Sequence, residues 1–477
     1  MTPSRLLTIV AAVAAAVCLG AAFLVGGDGA SSGSGGGTAA LATPLWSPRR
    51  VPQPVVDAVG AQHLQRALDQ AVAGTNACFV VDQGGAPLAT RTADAPLIPA
   101  STEKLLTAAS ALAILGPDTK LETRALAPQA PASGSVDRLY LVGGGDPLLG
   151  TPEFQGTLDE EPETRGTFIT PLAALADGIV NAGVKRIPGG IVADDSRYEP
   201  LRYLPTWKST YRTDGQVGPL GALTVNRGFS VFKPKPVPVD DPALFAAQEL
   251  TRLLTARGVS VGAPTHATAA PNAVEVAKVE SAPMKDVVSE VLRVSDNLAA
   301  ELLTREVGLK VAHQGTTVEG TKATAAKLAE LGLPTANLTL IDGSGLDRGD
   351  RVTCQLLAAT LNLGSRPEFT SLWSGLPVAG QTGTLVDELR NGPLTGRVRA
   401  KTGSLDGVTG LVGLVDATRP LRFAFVANGE FTEAGGIGLR ARVAGIVAGF
   451  PDSPPADALV PAPVAGASPG STTTTKP

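Results

Sequence analysis

The alternation of apolar and polar positions divides the chain into elements. Leu64, Leu68 and Val72 recur every fourth residue and predict a helix over 61–72. Two extended runs, 78–81 and 87–92, flank Gly84-Gly85 and read as a β-hairpin. Pro99 then opens a helix whose apolar face is Leu105, Ala108, Leu112 and Leu115, ended by Gly116-Pro117. Residues 118–277 mix strands (139–142, 190–193) with a helix at 172–182. Helical periodicity returns at 283–292, and Ser295-Asp296-Asn297 interrupts it before a second helix at 298–307. Strands at 397–401, 408–414 and 421–427 and a helix over 433–447 close the pattern. Helix and hairpin first, hairpin and helix last, suit one sheet covered by terminal helices. No internal repeat is visible.

The two ends read differently. Residues 6–25 carry no charge and are long enough to cross a bilayer as a helix. Segment 1–26 therefore reads as a membrane anchor in preference to a removed signal, and either reading places the remainder outside the cytoplasm. A Gly/Ser-rich tether covers 27–48, and a Pro/Thr-rich tail covers 451–477 with the composition of a disordered segment. The fold is then expected between 49 and 450. A length of 477 residues, with 43 % hydrophobic and 18 % charged, supports two soluble domains plus such extras. The net charge of -4 gives no basic field for nucleic acid.

Three histidines, His63, His266 and His313, are too scattered for a His-based zinc site. No Gly-x-Ser-x-Gly elbow sits in a strand-turn-helix context that would support a Ser-His-Asp triad. No phosphate-binding loop or dinucleotide fingerprint occurs, so no cofactor is implied. Cys18 lies in the apolar run, leaving Cys78 and Cys354. These either bridge in an oxidising compartment or sit apart as small buried hydrophobes.

Three short motifs follow one another: Ser101-Thr102-Glu103-Lys104, Ser295-Asp296-Asn297 and Lys401-Thr402-Gly403. Singly each has a bland reading: a helix cap with a surface lysine, a pair of caps between helices, and a hairpin turn. Placement favours chemistry. One helical turn puts Lys104 on the same face as Ser101, and a serine hydroxyl needs such a base beside it. Lysine serves as a base only once burial or a neighbouring cation removes its proton, and Lys401 is the candidate cation. Gly403 is expected to let a substrate chain lie close.

With these motifs the sequence resembles the penicillin-recognising serine acyl-transferases. The stretches 98–116, 140–150, 281–303, 340–353 and 396–415 are similar to the S13 family of D-alanyl-D-alanine carboxypeptidases/endopeptidases, the low-molecular-weight class C penicillin-binding proteins. The resemblance implies an α/β (α+β) chain of β-lactamase/transpeptidase-like fold, an antiparallel sheet flanked by helices with an inserted mixed α/β domain. The peptidase domain would be split into 49–117 and 278–450, with 118–277 as the insert. Ser101 would be the acylated nucleophile, Lys104 its base, and Ser295 a proton relay linked to Lys104 and Lys401. Asn297 would hold the substrate amide. Thr402 and Ser404 would bind the terminal carboxylate under the positive potential of Lys401, and the N–H groups of Ser101 and Ser404 would form the oxyanion hole. Arg348 and Trp207 match positions that read the free diaminopimelate end, although Lys208-Ser209-Thr210 follows the tryptophan where relatives carry an acid. The implied substrate is the peptidoglycan stem peptide, with β-lactams as covalent inhibitors and the membrane reached through the N-terminal segment. The competing readings are a β-lactamase of the same fold, for which no Glu-x-x-Leu-Asn base is found, and a catalytically idle wall-binding scaffold.

Overall fold

A computed structural model describes residues 53–390, 392–417 and 419–451. The expected anchor (1–26), the tether (27–48) and the tail after Pro451 lie outside the described residues. Among the described residues no helix is long and apolar enough to cross a membrane.

Helix α1 (Gln53–Ala71) begins earlier than its apolar period predicts. The hairpin β1 (Asn76–Gln83) and β2 (Ala86–Arg91) turns at Gly84 and Gly85, both at positive φ, where a side chain would be strained. Helix α2 (Lys104–Leu115) stops at Gly116, whose φ of 93° no other residue adopts easily. The chain then builds β3 (Glu122–Ala127), β4 (Leu139–Val142), α3 (Pro152–Glu160), α4 (Leu172–Asn181), β5 (Ile191–Asp194), α5 (Pro242–Thr255), β6 (Thr265–His266) and β7 (Val274–Glu280). Four helices follow: α6 (Met284–Arg293), α7 (Asn297–Ala312), α8 (Thr317–Glu330) and α9 (Cys354–Asn362). Strands β8 (Val398–Leu405), β9 (Val408–Val415) and β10 (Leu421–Asn428) and helix α10 (Glu433–Ala448) complete the fold.

Two five-stranded sheets result. The first, ordered β8-β9-β10-β1-β2, is wholly antiparallel, and it joins the two ends of the chain by pairing Phe79 with Phe425. Side chains alternate across it. Phe79, Leu411, Phe423 and Phe425 pack under α1 and α10, whereas Cys78, Val412, Ala424 and Val426 face the core built from α2, α6, α7 and α9. Cover on both faces leaves β9 buried along its whole length, and all of it but Thr409 is apolar or glycine. Cys78 and Cys354 form a disulfide between β1 and α9, which settles the reading left open by the sequence.

The second sheet, β6-β5-β4-β3-β7, mixes parallel pairs (β6–β5, β5–β4) with antiparallel ones (β4–β3, β3–β7). Its core is separate, filled by Leu175 and Ile179 of α4 and Leu250 and Leu254 of α5. A connecting stretch, 195–228, fastens it to α7. Arg305, fully buried in α7, donates to the Leu201 carbonyl at 2.8 Å, and Glu306 accepts from Arg197 and Tyr198. Buried ions held from both sides in this way fix one orientation.

Candidate active site

Each of the three motifs arrives on a different kind of element. Ser101 sits in a single 3-10 turn, Ala100–Glu103, that runs straight into α2. Ala100 before it has a positive φ of 46°, a backbone position that strains a side-chain-bearing residue and is found preferentially at functional sites. Ser295 is another such residue, at φ 57°. Its neighbour Asp296 caps α7 by accepting from the Ala299 N–H at 3.0 Å and pairs with Arg227 at 2.6 Å. The capping role thus falls to the middle letter of Ser-Asp-Asn, and the outer two are released into the cleft.

The third motif departs from its expected position. Lys401, Thr402, Gly403 and Ser404 lie within the edge strand β8, and the turn comes later, at Asp406-Gly407. Gly403 is needed for packing more than for substrate approach. A Cβ there would lie 2.8 Å from the Pro99 carbonyl and 3.0 Å from the Thr102 methyl, so the strand can press against the Ser101 turn only without one. Because β8 is an edge strand, every second N–H points away from β9. Ala400 N–H donates outward to the Pro377 carbonyl, and Ser404 N–H, of the same parity, faces the same side.

These elements bring Ser101, Lys104, Ser295, Asn297 and Lys401 together. Lys104 Nζ lies 2.9 Å from Ser101 Oγ, 2.5 Å from Asn297 Oδ1 and 2.7 Å from the Ser344 carbonyl. Two of these partners can only accept. When neutral, the amine satisfies both with its two hydrogens and offers its lone pair to the Ser101 hydroxyl, the arrangement of a base facing its nucleophile. Burial favours this state. It lowers Lys104 to about 8, against the pull of Asp342, Glu301, Asp296 and Glu103.

Of the two pushes expected, burial is the larger on Lys104, and the repulsion between the two amines is felt at Lys401. Lys401 contacts a different hydroxyl, donating to Ser295 Oγ at 2.8 Å and to the Thr402 carbonyl at 2.9 Å. It is fully buried, and burial first, then the charge of Lys104, holds its pKa well below the usual lysine range. Asn297 completes a bridge by donating to the Gln216 carbonyl at 2.7 Å.

A cleft of about 470 Å³ opens over these groups, lined by Ser101, Ser295 and Asn297 from the motifs and by Glu161, Glu163, Gln216, Arg227 and Phe232 from the region of the second sheet. Thr402 Oγ1 meets Thr384 Oγ1 at 3.0 Å. Ser404 Oγ accepts from Arg440 at 2.7 Å, and Arg440, itself 3 % exposed, is held by Glu388. Since Ser404 Oγ already accepts, its own hydrogen is free to point outward as a donor. Arg348 stands apart from the lysines, donating to the Asp406 carbonyl at 2.8 Å beside Lys208 and Tyr211. Trp207 donates to Asp342 at 2.8 Å.

Several participants had no signature in the sequence. Ser344 acts through its carbonyl, so its side chain carries no information. Arg440 lies in a helix that reads as plain amphipathic, and Glu388 in a loop. The segment 342–348 lies within the stretch 340–353, which stands out through its resemblance to the S13 family. Close to it, Glu103, Asp342 and Asp350 form the one group of carboxylates among the described residues with the spacing to hold a metal ion.

The family model described as D-Ala-D-Ala carboxypeptidase 3 (S13) matches residues 58–236 and 232–448. A carboxypeptidase of Mycobacterium tuberculosis is 33 % identical over 362 residues, covering 72 % of this chain and 74 % of its own. A D-alanyl-D-alanine carboxypeptidase of Actinomadura is 28 % identical over 445 residues, covering 76 % and 79 % respectively. Penicillin binding protein 4 of Haemophilus influenzae shares the fold, with a TM-score of 0.66 at 22 % identity over 79 % of this chain and 97 % of that one. Two lysine–serine pairs under one cleft, on a fold matched along nearly its whole described length, lead to one assignment: the chain belongs to the D-Ala-D-Ala carboxypeptidase 3 (S13) family.

Proposed function

We propose that the protein is a serine D-alanyl-D-alanine carboxypeptidase acting on peptidoglycan stem peptides outside the cytoplasm, with Ser101 as nucleophile. The observation that carries the residue assignment is the fully buried Lys104, whose Nζ lies 2.9 Å from Ser101 Oγ. Lys104 takes the Ser101 proton as Oγ attacks the penultimate D-alanine carbonyl. The N–H groups of Ser101 and Ser404 receive the developing oxyanion. Ser295, fed by Lys401, passes a proton to the departing D-alanine nitrogen, and the acyl-enzyme is then hydrolysed. Thr402 and the outward-directed hydroxyl of Ser404 hold the terminal carboxylate, and Asn297 the adjoining amide. A β-lactam ring opens on the same serine. Residues 118–277 act as an insert that supplies one wall of the cleft, and Arg348 meets the far end of the peptide. The segment 1–26 anchors the enzyme in the membrane.

The test is Ser101→Ala. Release of D-alanine from a pentapeptide and the mass increase after penicillin treatment should both vanish, a loss of roughly 10⁴-fold or more in rate. Undiminished release overturns the assignment of Ser101. Rapid turnover of penicillin by the unaltered chain, in place of a lasting adduct, favours the β-lactamase reading.

A further inference from the structure

Among the described residues that line the cleft of about 470 Å³, Arg227 is the one cation, and the acyl-transfer steps leave it unused. It stands beside the second motif, with Nε 2.6 Å from Oδ2 of Asp296, the neighbour of Ser295. That contact exhausts neither partner. Nη2 of Arg227 is buried without a hydrogen-bond partner, and Asp296 Oδ2 accepts no hydrogen bond despite its closeness, so charge alone joins the two. A guanidinium is a planar fork of N–H donors, and leaving one of them buried and unpaired is costly. Such an orphan calls for an acceptor that is missing.

The backbone is an independent pointer to the same residue. Asn226 and Arg227 stand consecutively at φ of 55° and 56°, the left-handed region that favours glycine. The strain is held from both sides. Asn226 Oδ1 accepts from Thr151 N–H at 2.9 Å, and its amide donates to Thr151 Oγ1 at 3.3 Å. Gly218 presses on the other side, where a Cβ would lie 2.0 Å from the Arg227 carbonyl oxygen. The stretch that carries Arg227 is already fastened to α7 through Arg305 and Glu306, so anchorage alone does not account for the strain. A conformation enforced in this way on a cleft-lining residue marks a functional position.

Location identifies the ligand. Glu163 lines the same cleft, and the charges of Lys401 and Arg227 both act on its carboxyl, against the upward push of burial. Arg227 therefore works at the Lys401 end, where Ser295 serves the departing nitrogen and Thr402 the terminal carboxylate. The anion in that place is a carboxylate, whose paired oxygens match a guanidinium fork. We propose that Arg227 is a specificity-determining residue that holds the carboxylate of the leaving D-amino acid from the insert wall, in addition to the contacts of Thr402 and Ser404. The proposal rests on the reading of Ser101 as the nucleophile of a D-alanyl-D-alanine carboxypeptidase. Asp296 keeps the guanidinium in place while its own Oδ1 caps α7. Selection for a free chain end then depends on the insert as well as on the peptidase domain, because an amidated last residue offers Arg227 no charge.

Two thioester substrates with the same acyl-D-alanyl half separate this role from a structural one. The first releases thioglycolate, which carries the carboxylate, and the second releases its methyl ester, which does not. The unaltered chain should hydrolyse the first with the higher kcat/KM. In R227Q the acid-to-ester ratio of kcat/KM should fall about 20-fold, as expected for the loss of charge-assisted hydrogen bonds. In R227K, which keeps the charge and loses the fork, the ratio should fall about fivefold. An unchanged ratio in R227Q, with both rates lowered alike, overturns the proposal and leaves Arg227 as a clamp on Asp296. So does an unaltered chain with no preference for the acid. Should R227Q fail to fold, R227K decides by the same ratio, and an unchanged value overturns the proposal. Failure of the Ser101 assignment would show differently, as thioester hydrolysis that persists in S101A.

Discussion

The two walls of the cleft each set a buried lysine against a serine, and the pairs are not equivalent. On the α2 side, Lys104 reaches Ser101 from one helical turn away, with carboxylates on its far side. On the β8 side, Lys401 reaches Ser295 from a strand, and the charges that weigh on it besides burial include Lys104 and Arg440. Burial lowers both pKa values; at Lys104 acids oppose it, whereas at Lys401 the cations Lys104 and Arg440 reinforce it and the acids Glu163 and Glu388 oppose it. The comparison teaches that the same residue pair placed in different fields is suited to different work, and the proposed roles of base for Lys104 and relay partner for Lys401 follow that difference.

Breaking the first pair should have the largest effect. Lys104→Met removes the base while filling its space, and kcat/KM for D-alanine release should fall by about 10³-fold. Substrate affinity in an Ser101→Ala background, measured by titration, should be little changed. Breaking the second pair should cost less. Ser295→Ala should slow acylation by about 10²-fold in stopped-flow measurements with a chromogenic β-lactam, because water replaces the relay in part. An equal or larger loss than for Lys104→Met would reverse the roles assigned to the two walls.

A pH profile sharpens the contrast. With Lys104 lowered to about 8, its neutral fraction rises about tenfold per pH unit below that value and levels above it. The acylation rate should therefore climb from about pH 6 and flatten near pH 8. A flat profile across that range would show that Lys104 is already neutral or is not the base. The smallest effect is expected at the edge of the β8 wall. Arg440→Lys loses the fork that holds Glu388 and Ser404 together, and KM should rise by about fivefold with kcat nearly unchanged. A fall in kcat alone would show that Arg440 acts on the chemistry and not through Ser404.

Much of this was legible beforehand. The hairpin around Gly84-Gly85, the helix from Lys104 to Gly116 and the strands near 408 and 421 follow from period and punctuation, which are local properties. Helices α5 and α8 were not marked by their sequence. The first is introduced by Asp241-Pro242, an N-cap with proline behind it, which accepts from Ala243 and Leu244 N–H and was the missed signal. Strand β8 was drawn too short because Thr402-Gly403-Ser404 reads as a turn. Its pairing with β9 extends it through Leu405, and ladder hydrogen bonds from a neighbouring strand outweigh a glycine's preference.

By itself the sequence determined which residues can do chemistry and in what order the chain presents them: a serine one turn from a lysine, a polar break between helices, a lysine on a strand. Only the tertiary structure decided which charges surround each amine and how deeply each is buried. Spacing along a helix is fixed by 1.5 Å per residue, whereas burial and Coulomb forces depend on groups such as Asp342, Ser344 and Arg440, brought close by folding from distant positions.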